Sequence, residues 1–311
     1  TRRIRVGERA ARVGLWVAGS LVRRVYLDVV AQPLAQPARA RIHGRPAMNG
    51  SRELGASFLE LLQSKGLSPL SPLPANVSAS AAGVVHGTTI VALTYDGGVV
   101  LGGDRRATSG NVISERTMEK VAPADRHSGV GISGAAGPAI EMIKLFQTEL
   151  EHYEKVEGVA LSLEGKANKL SQMIRANFGL AMQGLVVIPL FAGYDLKRRD
   201  GRIFKFDVTG GRYEEAEFHA TGSGGLWAGN TVKNVWHPGL TEAEAVALAT
   251  RALHEAADED SATGGADVNR GIYPTVAAID SAGYRRIGDD VVAAVEAEVD
   301  ADRKARFGAQ R

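Results

Sequence analysis

Among its 311 residues the chain has no cysteine, which excludes disulfides, thiolate metal sites and a cysteine nucleophile. Such a composition suits a reducing compartment, and a cytoplasmic location is expected. No apolar run approaches the roughly 20 residues that span a bilayer. The longest with positive flanks, VGLWVAGSLV at 13–22, is too short, so no membrane partner is expected. GxxxxGK[ST] is also missing, so neither GGDRR nor TGSGG reads as a phosphate loop. His152 has no metal-ligand partner at helical spacing and reads as a helix-surface residue. Neither a metal nor an organic cofactor is expected. The net charge is +2, but residues 1–47 hold ten arginines against Glu8 and Asp28. The remainder is acidic, and no nucleic-acid partner is expected of it.

The basic head and the stretch after it stand apart from the rest. The chain starts with Thr1, and Met48 stands where the composition changes. No small-residue cleavage site follows the apolar run, so 1–47 reads as a segment upstream of the true start rather than an export signal. Within 48–87, SFLELLQSKG predicts about two turns of amphipathic helix with Phe58, Leu61 and Leu62 on one side. LSPLSPLPANVSASAAG (67–83) reads as an extended linker. By composition, nothing before Val84 belongs to a packed domain.

After Gly87 the texture changes. TTIVALTY and GVVLGGDRRA flank Asp96-Gly97, a strong hairpin signal. EKVAPAD and SGVGISG continue the strands. Helices are predicted at about 136–155, with Ile140, Ile143, Phe146, Leu150 and Tyr153 on one face, and at about 163–182. Further strands are expected at 184–195, 201–211 and 213–224. A helix follows at 241–258, with Thr241 and Glu244 at capping-box spacing, then a hairpin over 271–288 and a terminal helix. This order lacks the strict alternation of a parallel doubly wound sheet. It predicts an α+β fold with two antiparallel sheets covered by helix pairs.

A threonine hydroxyl is a poor nucleophile and needs a base. Were the chain cut between Gly87 and Thr88, Thr88 would gain an α-amine of unperturbed pKa about 8, able to take the hydroxyl proton. A bare Gly-Thr-Thr more often just starts a strand, and Thr89 reads as an ordinary strand residue. Asp104 and Lys120 alone would be an ordinary ion pair, yet a lysine beside a hydroxyl lowers its effective pKa. SGAAG (133–137) places small residues at a strand-to-helix junction, either a tight turn or an oxyanion hole.

Taken together, GTTIVAL, GGDRRAT, the lysine of EKV, SGAAG, ATGSGG and DEDSATGG resemble the catalytic β-subunit of the 20S proteasome over about residues 84–295. The long leader and DSATGG are most similar to the actinobacterial form. The resemblance implies a four-layer αββα sandwich of the N-terminal nucleophile hydrolase type. It implies Thr88 as nucleophile, Asp104 and Lys120 as the pair activating it, and Gly134 as oxyanion donor. Ser223 would stand near the threonine amine, held by Asp260 and by Thr263, a position often serine in the family. Residues 48–87 would be a propeptide removed by attack of Thr88 on Gly87, leaving 88–311 as the mature peptidase. Ala107, Met118, Ile132 and Ala136 match positions lining the substrate pocket, although Met118 and Ile132 also read as core residues. Implied partners are proteasome α-subunits, other β-subunits in a heptameric ring, a ring ATPase, and substrates tagged with a prokaryotic ubiquitin-like protein (pupylated). Rival readings are a hexameric bacterial threonine peptidase, a non-catalytic ring subunit, and a small-molecule amidase of the same nucleophile class.

Overall fold

A computed structural model describes residues 57–66 and 87–308. The chain divides into two units, Thr1–Arg52 and Glu53–Arg311, and every described residue belongs to the second. The upstream segment 1–47 and the linker 67–83 lie outside the described residues.

Strands β1 (Thr89–Tyr95) and β2 (Gly98–Gly103) form the expected hairpin, Tyr95 facing Gly98 across Asp96-Gly97. They sit inside an antiparallel sheet ordered β10-β1-β2-β11-β12, where β10 is Phe218–Gly222, β11 Thr275–Asp280 and β12 Gly283–Arg286. The second sheet runs in chain order: β5 (Val121–Asp125), β6 (Ser128–Gly134), β7 (Val187–Asp195), β8 (Asp200–Phe206) and β9 (Arg212–Glu215). Between them in sequence, β3 (Ala107–Ser109) and β4 (Val112–Glu115) make a small ribbon.

Strand periodicity of two explains the layering. Ile90, Ala92, Val99 and Leu101 of the first sheet meet Leu190, Ala192 and Ile203 of the second in one core. Their neighbours Val91, Leu93, Val100, Val276 and Ala278 point the other way, onto helices α5 (Gly225–Val235), α6 (Glu242–Glu259) and α7 (Asp289–Gly308). Val130, Phe191 and Phe204 likewise point onto α2 (Ala136–Glu157) and α3 (Leu163–Ala176). Both faces of each sheet are covered, which is why β1 and β2 read as continuous apolar runs. The result is the four-layer αββα sandwich.

Several local expectations need correction. The run 213–224 is two strands: β9 closes the edge of one sheet, and β10 crosses to the other. The helix expected over 163–182 breaks at Asn177 and resumes as the one-turn α4 (Phe178–Ala181). On α2 the buried stripe is Ala139, Met142, Ile143, Phe146 and Leu150, and Ile140 stays exposed. Helix α5 was not expected: its sequence begins with glycine and has no side-chain cap, although Ala228 and Val232 are buried at helical spacing. The capping box of α6 forms as expected, Thr241 and Glu244 exchanging hydrogen bonds. A larger correction concerns α1 (Phe58–Ser64): Phe58, Leu61 and Leu62 are all buried, so part of the stretch before Val84 does contribute to packing. His152 is no free surface residue either. Its ring lies 5.7 Å from that of Phe58, and burial pushes its pKa down. Among the described residues, no helix is long and apolar enough to cross a membrane.

Candidate active site

The register of the first sheet assembles the site. Thr89 pairs with Gly222 and Ile90 with Gly103, so Thr88 stands beside Ser223 just beyond β10, and Asp104 beside Thr89 just beyond β2. Lys120 precedes β5 and is tied to the second sheet, its carbonyl accepting from Ile132 N at 2.9 Å. Its side chain reaches across to the first sheet. Four chain segments thus meet where β1 begins.

Asp104, fully buried, is surrounded by donors. Its Oδ1 accepts from Lys120 Nζ at 2.8 Å and from Thr89 N at 2.9 Å. Its Oδ2 accepts from Arg106 N and Gly264 N, each at 2.9 Å. Burial pushes the Lys120 pKa down, and the Asp104 carboxylate pulls it partly back. Lys120 Nζ also donates to the Gly87 carbonyl at 3.0 Å, and the Thr88 hydroxyl donates to the same oxygen at 2.7 Å. With Gly87 bonded to Thr88, the ammonium faces the carbonyl before the threonine.

A second network holds the Thr88 nitrogen. Thr88 N donates to Ser223 Oγ at 3.2 Å, and Ser223 donates to Asp260 Oδ2 at 2.5 Å. Thr263 donates to the same carboxylate oxygen at 2.6 Å. With its proton committed there, Thr263 Oγ1 accepts from the Thr89 hydroxyl at 2.7 Å. Thr89 is therefore no ordinary strand residue, since its N–H and its hydroxyl link the two carboxylates of the site. Arg106 adds a further tie, Nη1 donating to the carbonyls of Ser261 and Thr263 at 3.2 Å.

Two glycines are sterically required. A Cβ on Gly87 would lie 1.8 Å from Ala262 Cβ, and one on Gly222 would lie 1.9 Å from Thr88 O, where φ is 93°. Thr89, Arg106, Gly222 and Gly264 escape sequence reasoning because the groups they touch lie far off in the chain and meet them only in the fold. The doubled threonine and the TGG of DSATGG were the available signals.

The remaining predicted residues are spread wider. Gly134 ends β6 with φ 108°, its neighbour Ala135 donating to Val186 O. Ala107 and Ile132 are nearly inaccessible, and Ile132 packs in the core beneath α2 and α3. Met118 and Ala136 are half-buried. A cleft of about 360 Å³ lies behind the Asp104 network, lined by Arg105, Arg106, Arg116, Gly264 and Tyr273 among others. None of the four predicted pocket residues lines it.

Comparison with known proteins agrees with this architecture. A family profile described as "Proteasome subunit" matches residues 84–269. The chain is 64% identical over 228 residues to a protein named proteasome subunit beta from Acidimicrobium ferrooxidans, covering 73% of this chain and 83% of that one. It is 55% identical to the proteasome subunit beta of Acidothermus cellulolyticus, over 81% of this chain and 89% of the relative. For the protein of that name from Streptomyces griseus the identity is 57%, over 75% and 84%. With the αββα sandwich and a profile spanning β1 through Asn269, the chain belongs to the proteasome subunit family, and its curated relatives are β-subunits of it.

Proposed function

We propose that the chain is a catalytic, self-processing β-subunit of a 20S proteasome and acts as a threonine-type endopeptidase. The observation that carries this reading is the Gly87 carbonyl, held between the Thr88 hydroxyl and the Lys120 ammonium. Lys120 polarises the carbonyl and stabilises negative charge developing on its oxygen. Thr88 Oγ attacks the Gly87 carbonyl carbon and gives up its proton. The carbon–nitrogen bond breaks as the Thr88 nitrogen gains a proton, leaving an ester between Gly87 and Thr88. Water hydrolyses that ester to a Gly87 carboxylate, a free Thr88 amine and the regenerated hydroxyl. The departing carbonyl frees Lys120 for the hydroxyl. The new amine, against Ser223 and Asp260, becomes the base for peptide hydrolysis.

In this reading residues 48–87 are a propeptide and 88–311 the mature subunit. Gly134 supplies the oxyanion N–H. Ala107, Met118, Ile132 and Ala136 surround the substrate side chain, so cleavage follows apolar residues. The subunit works in the cytoplasm in heptameric rings between α-subunit rings, and a ring ATPase feeds it pupylated proteins. Intact mass after co-expression with an α-subunit tests the core of this: a product beginning at Thr88 is expected, and full precursor from Thr88→Ala. Cleavage of Thr88→Ala at the same bond refutes self-processing.

A further inference from the structure

Thr89 stands between two carboxylates with different tasks. Asp104 faces Lys120, and Asp260 holds Ser223 against the Thr88 nitrogen. The Thr89 N–H donates to Asp104 Oδ1, a bond that any residue except proline can make. The second link needs this side chain: the Thr89 hydroxyl meets Thr263 Oγ1 at 2.7 Å. Thr263 donates its own proton to Asp260 Oδ2 at 2.6 Å. The chain of donors therefore runs one way, from Thr89 to Thr263 to Asp260.

The two hydroxyls are shut off from solvent, Thr89 and Thr263 both being fully buried. A Cβ on Gly224 would lie 2.8 Å from Thr263 Oγ1 and closer still to Thr89 Oγ1, with the Ala256 methyl 3.1 Å away. A spot too tight for a methyl group is too tight for a water, so solvent does not replace a missing hydroxyl there. Hydrogen bonds in series polarise one another in such a dry setting. Thr89, as first donor, draws charge through Thr263 from Asp260. The charge that remains acts on Ser223 and the Thr88 nitrogen. No atom of this chain belongs to Gly87, so breaking the Gly87–Thr88 bond leaves it in place.

We propose that Thr89 is a positioning residue, whose hydroxyl acts through Thr263 to fix Asp260 and so sets the geometry and basicity of the Thr88 nitrogen. Gly224 contributes by leaving room for the two hydroxyls. The proposal rests on the reading of Thr88 as nucleophile and, once its amine is free, as base.

The test uses the full chain co-expressed with an α-subunit, as wild type, Thr89→Val, Thr89→Ser and Thr89→Cys. Rates on a fluorogenic peptide are taken per processed subunit, counted by intact mass. Valine keeps the shape and the N–H bond to Asp104 but removes the hydroxyl. It should lower kcat about 5- to 10-fold, the scale of one net hydrogen bond, with KM unchanged. More charge left on Asp260 holds the free amine protonated to higher pH, so the acid limb of kcat/KM moves upward. Asp104, Lys120, Arg106 and Asp260, the charged groups around the site, are retained in every variant. Serine should restore both kcat and limb. Cysteine, a weak donor, should show a smaller loss and serves where the valine chain does not assemble. Thr250→Val removes an equally buried hydroxyl bonded within α6, and should leave kcat and limb unchanged. A wild-type kcat and pH profile in Thr89→Val, or in Thr89→Cys where valine does not assemble, overturns the proposal. So does a loss that serine does not restore or that Thr250→Val reproduces. A wild-type particle that stays uncut and cleaves no peptide overturns the reading of Thr88 itself, and this proposal with it.

Discussion

Lys120 Nζ and Asp104 Oδ1 lie 2.8 Å apart, with side chains 2% and 0% exposed. Each is the other's compensation for burial. Removing one partner of such a pair leaves an unpaired buried charge, at a typical cost of about 3–5 kcal/mol. Lys120→Ala is therefore expected to lower the denaturation midpoint markedly and to leave the precursor uncut. Lys120→Arg is not expected to rescue cutting, because a planar guanidinium does not replace a compact ammonium. A Lys120→Ala chain that is processed at the normal rate rules out the lysine's role.

Asp104→Asn keeps the shape and removes the charge. Burial already pushes the Lys120 pKa down and Asp104 opposes that, so the substitution lowers it further. If the protonated ammonium is what polarises the Gly87 carbonyl, the alkaline limb of the processing rate moves to lower pH. Gel densitometry of precursor and product across pH 6–10 reads this out. An unmoved limb means the proton on Lys120 is not used.

Gly87→Ala puts a methyl group where Ala262 Cβ already lies. The Gly87 carbonyl must shift from its two donors, and if that bond is the one processed, displacement on the scale of 1 Å costs roughly 100-fold in rate. Slow accumulation of product by mass spectrometry is expected, with a folded precursor. Gly87→Ala combined with Ala262→Gly should recover little of the rate, because Cα and the carbonyl oxygen of residue 262 would still lie 2.7 Å from the added methyl.

His254 of α6 meets Glu296 of α7 at 2.7 Å, and that carboxylate pushes the histidine pKa up. The sign follows from linkage: a raised folded pKa adds stability that is complete below the unfolded value near 6.5. The contribution disappears as pH rises through the folded pKa. Thermal melting should thus show an α6–α7 contribution at pH 5.5 that weakens by pH 8.5. In His254→Gln the dependence between those values should flatten; an unchanged profile excludes this pair as its source.

Much of the site was legible because its chemistry sits in side chains at recognisable intervals. The Gly87-Thr88 junction, Asp104, Lys120, Ser223, Asp260 and Thr263 do converge. Hairpin β1–β2 and the α6 cap were legible for the same local reason, Asp96-Gly97 and the Thr241–Glu244 spacing being short-range signals. The division of 213–224 between two sheets was not, since both halves have strand-like composition and the choice of partner is non-local. Ile140, expected to be packed, is exposed because the apolar face of α2 is set by the sheet beneath it.

Residue identity and spacing alone specify a threonine behind a glycine, a lysine–aspartate pair, and an upstream segment able to form an amphipathic helix. Long-range packing settles what those groups touch. It turns Lys120 toward the Gly87 carbonyl, makes Thr89 the link between Asp104 and Asp260, and seats α1 on Glu149. The reason is physical: hydrogen-bond partners of a buried group are chosen by which strands and helices close over it. That choice is made by sheet register and core packing across more than a hundred residues, as in Thr88 with Ser223.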